Sequence, residues 1–163
     1  MKALKWTLAA TAVATLLAVG APVQAQTAGH DHGSAAPHEL TLNQGRKWST
    51  DAPLRKGMDN IRGLVAPKLK AAHAGTLQPA QYRDLAGRIE QEVAFIVQNC
   101  KLAPEADAQL HLVIADIGAG LDAMNGKAAG TEAADGLMHV AQAVNQYRTH
   151  FDHPGFRALP VAH

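Results

Sequence analysis

Residues 79–100 read PAQYRDLAGRIEQEVAFIVQNC. Tyr82, Leu85, Ile89, Val93, Ile96 and Cys100 recur three and four positions apart, the spacing of one face of an α-helix. Pro79 stands where a helix tolerates it, in the first turn. Three further segments repeat the pattern. Leu54, Met58, Ile61 and Val65 follow Asp51, a good N-cap, and Pro53. Leu110, Ile114, Ile117, Leu121 and Met124 follow Pro104, and Gly126 can close that helix. Leu137, Val140, Val144, Tyr147 and Phe151 follow Thr131 and run up to Pro154-Gly155. Pro67 is expected to kink or end the first helix, with one more turn running to His73 before Gly75. No alternating, β-rich segment competes. The sequence therefore predicts an all-α fold. Short connections make neighbours antiparallel, which gives an up-down-up-down four-helix bundle over residues 47–163.

Composition narrows the function. Of 163 residues 47% are hydrophobic but only 4% aromatic, as four Ala/Leu/Ile/Val stripes require. Fifteen basic residues face fourteen acidic ones, so the footprint of a nucleic-acid binder is missing. The single cysteine excludes an internal disulfide framework, a zinc ribbon and covalently attached haem of the Cys-x-x-Cys-His kind. It leaves a homodimer open.

The first 25 residues are expected to be a signal peptide. Lys2 and Lys5 form a positive start, Trp6 to Val19 is a small apolar run, and Val23-Gln24-Ala25 is a small-x-small cleavage site. The run is short for a membrane anchor, so no stable membrane insertion is expected after cleavage. Export with no other address points to a bacterial periplasm. Loss of Lys2 and Lys5 turns the formal charge from +1 to −1. Residues 26–46 are polar and rich in Gly, Ala and Ser, and are read as a flexible arm. Its His30, His32 and His38 make it an accessory site for loosely held Cu(II), Ni(II) or Zn(II).

The topology gathers residues that are distant in sequence. The end at which the first helix starts also holds the end of the second, the start of the third and the end of the fourth. It collects Met58, Cys100, His111, His150 and His153, with Trp48 and Tyr147. Thiolate with thioether and imidazole suits copper, above all the reduced ion; thiolate with imidazole also suits zinc, the second choice. Met58 and Cys100 are central on their stripes, whereas His111 and His150 lie on the flanks. The competing reading makes Met58 and Cys100 ordinary core residues and the histidines surface groups or caps.

Two resemblances follow. Met58 in Leu54-Arg55-Lys56-Gly57-Met58 resembles the early methionine ligand of small periplasmic b-type cytochromes, four-helix bundles with noncovalent haem. In the last helix, aligning Tyr147 puts Arg148 where those proteins carry the haem-ligating histidine, and His150 comes two residues later. The segments Lys47–Met58, Asn99–Asp107 and Phe151–Phe156 also resemble a family of exported bacterial proteins sometimes labelled DnrO. That likeness implies a periplasmic helical protein with no established activity. It draws attention to the same bundle end, where Phe151–Phe156 is expected to fold over the core, with Asp152 and His153 capping backbone groups.

No nucleophile–base pair at interpretable spacing and no Glu-x-x-His motif occurs, so no enzyme is expected. Gly118-Ala119-Gly120 lies mid-helix and reads as a close helix contact. The leading expectation is a periplasmic metal-handling protein, with copper favoured. The alternatives are a non-catalytic helical interaction or stress protein with a purely structural core, and a haem b electron-transfer protein.

Overall fold

A computed structural model of the chain describes residues 39–161. The expected signal peptide and His30, His32 and His38 lie outside the described residues. Four helices of 14 to 21 residues dominate: α1 (Ala52–Val65), α3 (Pro79–Asn99), α4 (Pro104–Met124) and α5 (Ala133–His150). A five-residue helix, α2 (Leu69–His73), continues α1 after a 3-10 turn over Ala66–Lys68. Among the described residues there is no strand, only two isolated bridges, so the fold is all-α. No helix among them is long and apolar enough to cross a membrane.

Each boundary has a local cause. Asp51 is extended, and its Oδ1 accepts the Leu54 N–H at 2.9 Å, which fixes the start of α1. Pro67 has no N–H to continue the ladder, and the chain tightens to a 3-10 turn. The Gln81 side chain accepts the Gln78 N–H at 2.8 Å as α3 begins. Glu105 and Asp107 put negative charge in the first turn of α4, and Arg148 and His150 put basic groups in the last turn of α5. Gly126 ends α4 in the left-handed region at φ 72°.

Contacts between helices are specific. The Asp51 carboxylate at the start of α1 accepts Lys101 N just beyond α3, and Asn60 donates to Glu92 at 3.0 Å. Gly57 of α1 lies flat against Ile96 of α3. Gly120 of α4 and Gly136 of α5 face each other, and a Cβ on Gly136 would come within 2.6 Å of the Gly120 carbonyl. The stripes of α1 and α5 are wholly buried: Leu54, Met58, Ile61 and Val65 on α1, and Leu137, Val140, Val144 and Tyr147 on α5. Each large apolar side chain so buried contributes about 1.5–3 kcal/mol. Val93 and Ile114, expected on core stripes, are only partly buried because they line an open groove between α3 and α4, and Cys100 is only partly buried where α3 ends.

Both ends of the described chain pack onto the helices. Thr41 N donates to the Gln109 side chain at 2.7 Å, and the Trp48 indole donates to the Thr41 carbonyl. A tight turn closes Asn43 on Arg46. The packed part of the chain therefore begins before residue 47, ahead of the expected arm boundary. After α5, Phe151 bridges Trp48, and Phe151, Phe156 and Leu159 are buried.

Candidate functional site

Met58 lies wholly inside the apolar core, with no exposed surface. Cys100 is the C-cap of α3, partly buried, and two turns of α1 separate Met58 from Asp51, the residue tied to Lys101. What approaches Cys100 is acid rather than imidazole. Burial pushes its thiol pKa up, and the Asp51 and Asp107 carboxylates push the same way. A thiol held in its neutral form is a poor soft-metal ligand.

The histidines divide. His111 is exposed and bonds back along its own helix, its Nδ1 2.9 Å from the Asp107 carbonyl and 3.4 Å from the Asp107 carboxylate. His150 does the same with the Gln146 carbonyl at 2.9 Å. Neither turns toward the core. His153 does: its side chain is 6% exposed, with Nδ1 3.0 Å from the Tyr147 hydroxyl and Nε2 3.4 Å from Asp59. The expected set Met58, Cys100, His111, His150 and His153 is thus not assembled. Among the described residues no three His, Cys, Asp or Glu side chains converge as a metal ion requires. The reason is geometric. Helical histidines on stripe flanks find a carbonyl four residues back before they find the core.

Haem fits no better. Met58 sulfur is enclosed by core side chains, and Arg148, opposite in the resemblance, is exposed. The Arg148 backbone carbonyl instead accepts Lys47 Nζ at 2.7 Å. Capping after α5 also differs from expectation. Backbone rather than side chains of Asp152 does it: its N–H donates to the Trp48 carbonyl, and its carbonyl accepts the Thr50 hydroxyl at 2.6 Å.

What the end of the molecule does hold is a chain of polar groups across three elements. Asp59 on α1, His153 after α5 and Tyr147 on α5 form it. It borders a cleft of 530 Å³ lined by Ser49, Thr50, Arg55, Asp59, Asp152 and His153. The Arg55 guanidinium is already committed, donating to the Thr50 carbonyl and hydroxyl at 2.8 and 3.0 Å. The Tyr147 ring stacks on Phe151 at 5.1 Å and meets Phe156 edge-on at 5.3 Å. Tyr147 is fully buried, and burial, with Asp59 next, pushes its hydroxyl pKa well above the ordinary value. It therefore stays protonated, and its buried proton needs an acceptor. Among the described residues the partner within reach is His153 Nδ1, which assigns Nδ1 as acceptor and the ring proton to Nε2, toward Asp59. One signal for this chain was present in the sequence: a tyrosine on a core stripe needs a partner for its hydroxyl. Asp59, 94 positions from His153, gave none.

A second feature is apolar. A groove of 420 Å³ runs between α3 and α4, lined by Val93, Ala94, Val97, Ile114, Gly118 and Leu121, with Glu90 and Asp122 at its edge. Val97 is 55% exposed. The chain matches no family model, no curated protein and no solved structure.

Proposed function

We propose that this is an exported, non-catalytic interaction protein built on an up-down-up-down antiparallel four-helix bundle. It presents the α3/α4 groove to a helical segment whose apolar stripe is flanked by basic side chains. The groove carries the reading. Open Val97 continues into the partly buried Val93 and Ile114, so the groove wall is one contiguous apolar strip, the kind of surface that a partner covers. Glu90 and Asp122 favour a basic flank on the occupant. The antiparallel arrangement is supported by the pairing of Gly57 with Ile96, Asn60 with Glu92, and Gly120 with Gly136. Export rests on the leader-like features of residues 1–25. The metal and haem readings lose ground because their candidate ligands point apart.

The test uses a labelled helical peptide with a leucine stripe and lysine flanks, and a second with glutamate flanks. Fluorescence anisotropy should show binding of the lysine peptide only. Gly118→Leu fills the groove without altering charge, since a side chain there meets open space. It should weaken binding at least about tenfold, or about 1.4 kcal/mol. Equal binding of both peptides, or full affinity in Gly118→Leu, overturns the proposal. So does a stable dimer in sedimentation that Gly118→Leu dissociates, which would put a second copy in the groove.

A further inference from the structure

Residues 151–161 form a strap that turns at the bundle end and returns over α1 and α5. Two apolar anchors, Phe156 and Leu159, are buried. Side chains of the bundle hold its backbone. Arg62 Nε donates to the Arg157 carbonyl at 2.8 Å, and Asn145 exchanges two hydrogen bonds with Leu159, at 3.0 and 2.8 Å. His153 is the strap's covered ionisable group; Asp152 and Arg157 are exposed.

We propose that His153 is an acid-operated latch: uptake of one proton by its imidazole loosens the strap 151–161 while the helices stay folded. The groups facing the ring come from every element around it. Asp59 lies at 3.4 Å from α1, with Arg55 of the same helix beyond it. Tyr147 lies at 3.0 Å from α5. Asp152 belongs to the strap, and the Phe156 ring lies 4.7 Å away between centroids.

The neutral ring satisfies its neighbours, because Nδ1 accepts from Tyr147 and Nε2–H points to Asp59. A proton taken from solvent can enter only at Nδ1. Nδ1–H must then donate to the Tyr147 oxygen, and the buried Tyr147 hydroxyl proton, turned away, loses its acceptor. Asp59 and Asp152 favour the charged ring, but burial outweighs them, and Arg55 adds to burial. The docked ring's pKa is therefore below its ordinary 6.5. A released strap binds the proton more readily than a docked one. Docking is thus fully favoured above about 6.5 and weakens as pH falls through and below that value, by at most about tenfold per pH unit for one proton. The loss levels off once pH is below the docked value as well.

Hydrogen exchange of the full chain, followed by mass spectrometry and expressed as protection factors to remove the intrinsic pH dependence, tests this. Between pH 7.5 and 5, protection of amides 151–161 should fall while protection in α4 holds. In His153→Gln it should not depend on pH. Asp59→Asn keeps an acceptor but removes a charge that favours the proton, so its loss should start at the same pH and extend to lower pH. A flat wild-type profile overturns the latch. So does the same slope in His153→Gln, or an equal loss in α4. If His153→Gln leaves the strap open at every pH, Asp59→Asn decides: an unchanged profile overturns the latch, and an extended one upholds it.

Discussion

Gly118 and Gly120 stand two positions apart on α4 and answer to opposite demands. A Cβ on Gly120 would lie 2.7 Å from both the Gly136 carbonyl and Val140 Cγ2, whereas one on Gly118 meets nothing within 4 Å. Only Gly120 permits the close helix contact that both were expected to share. Gly120→Ala forces α4 from α5 and should cost about 1–3 kcal/mol in urea unfolding. Gly118→Ala should instead stabilise by about 0.5–1 kcal/mol through helix propensity. A cost at Gly118 as large as at Gly120 would mean that α3 packs closer than described. At Cys100 the raised thiol pKa makes a chemical prediction. Alkylation of the folded chain at pH 7.5 should proceed more slowly than for a free cysteine, because the thiolate is the reacting form. Added Cu(I) should not slow it further. Protection by copper would restore the thiolate-site reading.

At the scale of the element, Asp51 makes one carboxylate serve two helices. Oδ1 caps α1 through Leu54, and Oδ2 accepts Lys101 N at 2.6 Å where α3 has ended. Asparagine is as good a cap but offers one oxygen, so Asp51→Asn should cost about 1 kcal/mol for the second bond alone. Asp51→Ala removes both and should cost about 2 kcal/mol by the same reckoning, read from the urea midpoint. The first role was legible in the sequence as a cap before Pro53, and the second was not. The same division runs through the molecule. Pro79 and Pro104 mark the starts of α3 and α4 to the residue, and Pro67 marks the break after α1. Those are local effects, written into consecutive residues. The start of α5 came two residues later than Thr131, where no side chain caps the helix. The site was far less legible. Its partners, Asp59, Tyr147 and His153, meet through tertiary packing, and the competition between an imidazole's own helix carbonyl and a distant ligand leaves no trace in spacing. The burial of Phe151 and Phe156 was readable, because an aromatic pair at and beyond a helix stop has to bury somewhere.

At the scale of the whole molecule, the strap decides whether four helices suffice. Ending the chain after Asp152 removes Phe156 and Leu159 from the core, at about 1.5–3 kcal/mol each as an upper estimate. Helix content by circular dichroism should persist, because α1 stays packed on α3 and α4 on α5, but the urea midpoint should fall. Asn145 separates packing from clamping. In the full chain its amide both donates to and accepts from the Leu159 backbone, and Asn145→Ala should cost about 1–2 kcal/mol. In the shortened chain the same side chain has no strap to hold, and the substitution should cost less than about 0.5 kcal/mol, the level of an ordinary surface change. The difference between the two costs is the coupling energy of clamp and strap. A cost that is the same in both backgrounds would assign Asn145 to α5 alone. The strap would then be held by its apolar anchors and the His153 contacts, and acid release would require those contacts to fail without help from the clamp.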